Sequence, residues 1–334
     1  MSFPELIILD VGHGNCALLR DKEGVTLIDC PPGSILFELL ESLEITKISN
    51  IIISHADQDH IAGLPQLLLS TKVENIHLNS DWIRETQNWR EICSALKDAR
   101  KHAGVKIETS LTTATTGRHN VGEVSVEILA PTPELALVGV GGKDLLGSKL
   151  TANSMSAVVS LSHGDRKVAI LAGDLDQVGL NNLIQEGSCL KHDILVFPHH
   201  GGRPGQGVDG KEFARQLCKK IKPKCVIFSI DRSRHNNPRD EIIEGVLSAV
   251  PDVHIVCTQL SRKCAKNLPE EEPMHLTNLP ARGRIEKKCC GGTIRLIFGE
   301  DSDTYIPSPE SHQDFISRYP ESICRQFLPE QEGY

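Results

Sequence analysis

Ile51-Ile52-Ile53-Ser54-His55-Ala56-Asp57-Gln58-Asp59-His60-Ile61-Ala62-Gly63-Leu64 is the stretch whose reading decides the fold. Ile51 to Ile53 is a short apolar run and reads as a buried strand, and helix-like apolar spacing follows from Ile61. Between them stand His55, Asp57, Asp59 and His60, imidazoles and carboxylates that both ligate divalent first-row cations. At a strand end, residues two apart face one side, so His55 and Asp57 can converge on one point. Helix capping by Asp57 or Asp59 explains one of the four residues and leaves the others without a reason. The loop therefore reads as a metal-ligand cluster at a strand-to-helix junction.

The rest of the chain bounds what such a cluster can serve. With 334 residues, a formal charge of -8 and 39% apolar residues, the chain is sized for one large domain or two small ones. No stretch approaches the ~20 apolar residues that span a bilayer, and the N-terminus shows neither a basic segment nor a long apolar one of the signal-peptide kind. The 11 scattered cysteines, an odd number, suit a reducing compartment, so a cytoplasmic protein without a membrane partner is expected. The acidic balance argues against coating nucleic acid by bulk charge. It leaves a nuclease open, because bound cations reverse the local field.

Other polar motifs also sit at strand ends. Glu5 to Asp10 leads into Val11-Gly12-His13-Gly14-Asn15, and Val25 to Asp29 ends on a carboxylate. Asn153-Ser154-Met155-Ser156 opens a strand pair, Ala157 to Ser162 and Lys167 to Leu171, followed by Ala172-Gly173-Asp174. Asp174 taken alone is a helix cap. The strand Asp193 to Phe197 ends in Pro198-His199-His200-Gly201-Gly202, and paired histidines beside glycine suit a metal site. After the strand Cys225 to Ile230 come Arg232, Arg234, His235, Asn236, Asn237 and Pro238.

The His-Ala-Asp-Gln-Asp-His loop resembles the signature of the metallo-β-lactamase superfamily, in the variant with Asp for the more usual second His. The ordered set of motifs is similar to the branch that includes the soluble hydrolase domain of the DNA-uptake protein ComEC and its stand-alone relatives. The resemblance spans most of residues 5 to 240 and implies an αββα sandwich, two mixed β-sheets flanked by helices, with metals at one rim. It implies a hydrolase domain over residues 1–250, completed by a C-terminal segment, 251–334. It places Asp29 as a hydrogen-bonding support of the metal loop and Asp174 as a bridge between two metals. One metal takes His55, Asp57 and Asp174; the other takes Asp59, His60, Asp174 and one of the paired histidines. His199, nearer the strand, is the expected ligand, and His200 the residue that contacts substrate or leaving group. Asp59 is expected also to orient the nucleophile. His13 and Asn15 depart from the Gln and Asp of that branch and are expected on the rim. Asn153, His235 and Asn237 complete the expected substrate contacts, Asn237 standing where relatives carry a His.

The implied ligand set is rich in oxygen, so Mn²⁺ rivals Zn²⁺ for the two divalent sites. Cys257, Cys264, Cys289 and Cys290 offer an extra structural zinc site, against buried or free thiols. Trp82 and Trp89 read as packing rather than base-stacking residues, Trp89 on a helix predicted over Arg84 to Lys101. Val138 to Leu150 reads as a Gly-rich surface loop. The tail holds an amphipathic piece around Phe315 to Phe327, a candidate dock for a protein partner. Arg203, Lys211, Arg232, Arg234 and Arg239 are candidate phosphate contacts or a solvated basic face. The leading expectation is a metal-dependent phosphodiesterase with nucleic acid as substrate. The rivals are a small-molecule hydrolase of a lactone, ester, amide or cyclic nucleotide, and a non-catalytic metal-bound subunit of a larger complex.

Overall fold

The structure is a computed structural model that describes residues 3–79, 81, 86–300 and 302–326. Trp82, Arg84 and Phe327 lie outside the described residues. Strand periodicity builds the layers. Leu6 and Ile8 face one way and Ile7 and Leu9 the other, and both faces are buried. Leu6 and Ile8 join Val126, Ile128, Val159 and Leu161 in a core between two sheets, whereas Ile7 and Leu9 pack with Leu36, Leu39 and Leu67 from helices outside.

The first sheet has eight strands, in the spatial order Thr304–Ile306, Ile294–Ile297, Glu5–Ile8, Ala17–Asp21, Gly24–Ile28, Lys47–Ile53, Lys72–Leu78 and Lys106–Glu108. The second has six: His254–Cys257, Cys225–Phe228, Ile194–Val196, Arg166–Leu171, Val158–His163 and Val124–Ala130. Both are mixed. Gly24–Ile28 through Lys106–Glu108 run parallel, as do Arg166–Leu171 through His254–Cys257, and the remaining pairs are antiparallel. Helices Ile35–Ser42, Leu64–Ser70 and Gln87–Asp98 cover the first sheet. Gln177–Gln185, Gly210–Ile221, Asp240–Ala249 and Pro309–Ser317 cover the second. This is the αββα sandwich. Among the described residues no helix is long and apolar enough to cross a membrane.

Several elements differ from the sequence expectation. The helix read from Ile61 is two pieces, Gln58–Ile61 and Leu64–Ser70, because the chain is pressed against Pro31 at Gly63. A Cβ there would meet the Pro31 carbonyl oxygen at 2.2 Å, and the Gly63 N–H donates to the Cys30 carbonyl at 2.9 Å. The described part of the Trp89 helix begins at Gln87, capped by Thr86, whose Oγ1 accepts from the Trp89 N–H at 3.2 Å. Trp89 packs half-buried against the outer core of the first sheet.

The C-terminal segment is woven into both sheets. Ile294–Ile297 pairs with Glu5–Ile8 in the first, and His254–Cys257 forms the edge of the second. In the tail, Phe315, Ile316 and Ile323 turn their apolar sides onto the core of the second sheet. The four cysteines considered for a structural metal divide. Cys257, Cys264 and Cys290 enter that same core, while Cys289 turns away, its Sγ 3.7 Å from Asp10 Oδ2. No cysteine belongs to either of the candidate metal-ligand groups found among the described residues.

Candidate metal centre

Parallel strands carry their carboxyl ends to one rim, and the ligand-type residues follow those ends. Asp29 follows Gly24–Ile28, His55 follows Lys47–Ile53, Asp174 follows Arg166–Leu171, and His199 and His200 follow Ile194–Val196. The two sheets thus bring together residues far apart in sequence.

Two ligand groups result: His55 with His60 and Asp174, all buried, and His13 with Asp59 and His200. In the first, His55 Nε2 lies 3.7 Å from Asp174 Oδ2, and His60 Nε2 lies 3.4 Å from Asp174 Oδ1. In the second, the Nε2 atoms of His13 and His200 each lie 3.3 Å from Asp59 Oδ2. The groups adjoin: His60 Nε2 is 3.8 Å from Asp59 Oδ2, and His200 Nε2 is 3.9 Å from Asp174 Oδ1.

Surrounding hydrogen bonds hold these rings. Asp29 accepts from the Ser54 N–H at 2.7 Å, from Ser54 Oγ at 2.8 Å and from His60 Nδ1 at 2.7 Å. His200 Nδ1 donates to the Ser229 carbonyl at 2.8 Å. Each Nδ1 bond leaves the Nε2 lone pair aimed into the centre, the arrangement that fixes a metal-binding tautomer. The loop is tied down further by Asp81, which accepts from the Ala56 N–H at 2.7 Å, and by Asn79, which donates to the carbonyls of Ser54 and Met155. Ser156 Oγ accepts from the Asp174 N–H at 2.9 Å. Ser156 belongs to the Asn153–Ser156 motif and Ser229 to the strand end before Arg232, whereas no ligand-type spacing marks Ser54, Asn79 or Asp81 in the sequence.

The backbone is strained where the ligands sit. Asp29, His199 and His200 occupy the left-handed region, with φ of 62°, 53° and 54°. Gly14 serves close approach: a Cβ there would meet the Asp59 carbonyl oxygen at 2.5 Å. Burial disfavours charge on Asp59 and Asp174. Their histidine neighbours outweigh it, His200 and His60 for Asp59, His60 and His199 for Asp174, and hold both well below the usual carboxylate range. Burial would likewise lower His60, but Asp29 and Asp174 raise it well above its ordinary value. Burial and His200 lower His13.

The donor set fits a cation. His55 Nε2, His60 Nε2 and Asp174 Oδ1 are buried without a hydrogen-bond partner. Orphaned buried polar atoms each cost ~1–3 kcal/mol, and a shared cation would satisfy all three.

The expected residues are placed as follows. Asp57 Oδ2 lies 3.3 Å from His55 Nε2. His60 falls in the group of His55 rather than that of Asp59, and His13, expected on the rim, falls beside Asp59 and His200. His199, the expected ligand, belongs to neither group: its Nδ1 is 3.3 Å from Asp174 Oδ2 and its Nε2 3.4 Å from Asn153 Nδ2. His235 lies against His13, ring centroids 4.7 Å apart. Asn237 is buried and turns its carbonyl to Ser261 Oγ, 2.9 Å away. Asn15 is buried behind the centre, in a small cavity it shares with Asp29 and Ser54.

The chain is 25% identical over 212 residues to ComE operon protein 3 of Bacillus subtilis (strain 168), a match covering 63% of this chain and 24% of that protein. The chain thus spans about a quarter of that relative's length. Among solved structures, the metallo-beta-lactamase fold protein YhfI from Bacillus subtilis is similar at 12% identity and a TM-score of 0.48, covering 76% of this chain and 96% of that one. Igni18, a metallo hydrolase from Ignicoccus hospitalis, is similar at 13% identity and a TM-score of 0.43, covering 76% and 94%. The family model described as "Metallo-beta-lactamase superfamily" matches residues 9–186, more than half of the chain. In sequence and in architecture, the chain belongs to the metallo-beta-lactamase superfamily of metal-dependent hydrolases.

Proposed function

We propose that the protein is a phosphodiesterase that cleaves nucleic acid with two divalent cations, Mn²⁺ or Zn²⁺. One observation carries this reading: the His55–His60–Asp174 and His13–Asp59–His200 groups stand side by side, with Asp59 and Asp174 within reach of both. Two adjoining divalent sites suit in-line attack at phosphorus, where attacking and leaving oxygens both carry charge. His55, His60 and Asp174 would hold one cation and His13, Asp59 and His200 the other, with Asp57 and His199 alongside.

Bound cations supply Lewis-acid chemistry, making a nucleophile available from water near neutral pH and neutralising phosphate charge. The protein's own groups do the positioning. Asp59 is ionised and 22% exposed, more open than the buried His55 and His60, so it meets solvent and orients the attacking water. Asp174 stays ionised although buried, because its histidine neighbours outweigh desolvation. His235 stands outside His13, where it would contact the substrate.

The test is hydrolysis with added Mn²⁺ or Zn²⁺ of plasmid and single-stranded DNA and bis-p-nitrophenyl phosphate, against cyclic nucleotides and lactones. Asp59→Ala and Asp174→Ala serve as blanks. DNA cleavage lost in both variants is the expected result. Lactone hydrolysis alone would make the protein a small-molecule hydrolase, and a wild type equal to its blanks would make it a non-catalytic subunit. Full activity with one tight zinc and no response to Mn²⁺ would defeat the two-cation form.

A further inference from the structure

Beside the metal centre, a cleft of about 210 Å³ opens on the flank of His13. Gly12, His13, Pro32, Asp231, Arg234 and Arg282 are among its walls. We infer that Arg282 and Arg234 make this cleft a subsite for a second phosphate of the substrate, so that the enzyme prefers a nucleic-acid strand to a lone phosphodiester. The inference rests on the phosphodiesterase reading above and names where the rest of the strand lies.

Of the other basic residues near the late motifs, exposed Arg203 is not among the walls of this cleft, and Arg232, Lys211 and Arg239 are engaged elsewhere. The Arg232 guanidinium donates to the carbonyls of Leu260 and Ala265, each at 2.7 Å, and of Lys266 at 2.9 Å. Lys211 pairs with Glu244 at 3.2 Å, and Arg239 with Glu241 at 3.6 Å. Arg234 is 64% exposed and reaches Asp231 only at 3.9 Å. Exposed Arg282 makes no ion pair or side-chain hydrogen bond among the described residues. The cleft therefore holds two guanidinium groups against one carboxylate, in a chain that is acidic overall. Guanidinium is the side chain best matched to two oxygens of a phosphate.

Arg282 is also held in place, although it lies far along the chain from His13. The buried Asp10 accepts from the Gly12 N–H at 3.2 Å, from the Gly283 N–H at 2.8 Å and from Gln259 Nε2 at 2.9 Å, and its own carbonyl accepts from the Arg282 N–H at 2.7 Å. One carboxylate thus locks the His13 loop and the Arg282 segment together. Gly12 leaves room for the arrangement: a Cβ there would meet Arg282 Cγ at 3.4 Å. The subsite begins at His13, whose Nε2 is 3.3 Å from Asp59, so a strand seated at the centre runs directly past both arginines.

The experiment compares kcat/KM for bis-p-nitrophenyl phosphate, which has one phosphate, with that for a fluorescent single-stranded oligonucleotide, under the same metal. The proteins are wild type, Arg282→Ala, Arg234→Ala, the double variant and Arg282→Lys, each checked for folding by circular dichroism. In the double variant the ratio of oligonucleotide to bis-p-nitrophenyl phosphate efficiency should fall about tenfold, through KM rather than kcat. The dependence of oligonucleotide KM on salt should weaken too, and Arg282→Lys should recover part of the loss. Equal losses on both substrates, or an unchanged oligonucleotide KM, overturn the subsite. A wild type that cleaves bis-p-nitrophenyl phosphate but no oligonucleotide overturns it while leaving phosphodiesterase chemistry standing. A wild type inactive on both overturns the functional reading, and the subsite with it.

Discussion

Asp29 Oδ2 lies 2.7 Å from His60 Nδ1, across 31 residues of chain, so a carboxylate outside the ligand groups decides where His60 points. Asp29→Asn tests this. Asparagine tolerates the left-handed backbone at this position and can still accept from the Ser54 N–H, but it no longer offers charge to the imidazole. Metal affinity should fall about 10–100-fold with the fold retained. Competition against a chromophoric chelator measures it, and unchanged affinity would show that His60 needs no such partner.

Gly14→Ala should disable the centre without touching a ligand. The new Cβ would approach the Asp59 carbonyl oxygen to 2.5 Å and Pro31 Cβ to 3.0 Å. Gly33→Ala is the control, since Gly33 has a similar positive φ but nothing within 4 Å. Hydrolysis should drop at least about tenfold more in Gly14→Ala than in Gly33→Ala. Equal losses would mean that backbone strain alone is responsible.

Stability should fall as the medium becomes acid. Burial, with His77 and Arg118 nearby, pushes His119 down to about 3, and burial holds His312 well below its ordinary value. In the unfolded chain both take a proton near ~6.5. Their contribution is therefore complete above that pH and is lost progressively as pH falls toward the folded-state values. Each group removes up to ~1.4 kcal/mol per pH unit in that window. Urea unfolding at pH 7.5 and 5.5, on wild type and His119→Asn, checks it. The wild type should show the steeper loss, and identical pH dependences would remove His119 from the account.

Phe197 directly follows the strand Ile194–Val196, between it and the paired histidines. Its ring packs 4.9 Å from Phe228 and 6.2 Å from Phe213, and it is 1% exposed. Phe197→Ala should cost about 3–5 kcal/mol, and Phe197→Leu distinctly less, because the cavity is smaller. Urea midpoints read the difference, and a loss below about 1 kcal/mol would show the aromatic cluster to be loosely packed.

What was legible in the sequence was what short-range periodicity and residue chemistry encode. Ile51 to Ile53 announced a buried strand, and the density of imidazole and carboxylate after it announced ligands. The strand pair before Asp174 was readable from its turn, with Gly164 at positive φ. What stayed hidden depends on distant contacts. Ser54, Asn79 and Asp81 are ordinary polar residues until the fold places a ligand or a loop amide beside them. His13 meets Asp59 only because the first strand lies in the same sheet as the one leading to the metal loop. The helix Asp240–Ala249 is written in the helical spacing of Ile242, Ile243 and Val246, although no expectation named it. Cys289 and Cys290 looked alike in sequence. Neighbours on extended backbone point to opposite sides, so one meets Asp10 and the other lies 3.1 Å from His312 Nε2.

Ile294–Ile297 lies between Glu5–Ile8 and Thr304–Ile306. During translation, Glu5–Ile8 leaves the ribosome long before its neighbour Ile294–Ile297. Until that neighbour emerges, an apolar strand has one row of amides and carbonyls open to any other nascent chain. Closing so long a loop is slow compared with forming the hairpins inside it. That edge stays open to wrong pairing until residue 297 has cleared the exit tunnel.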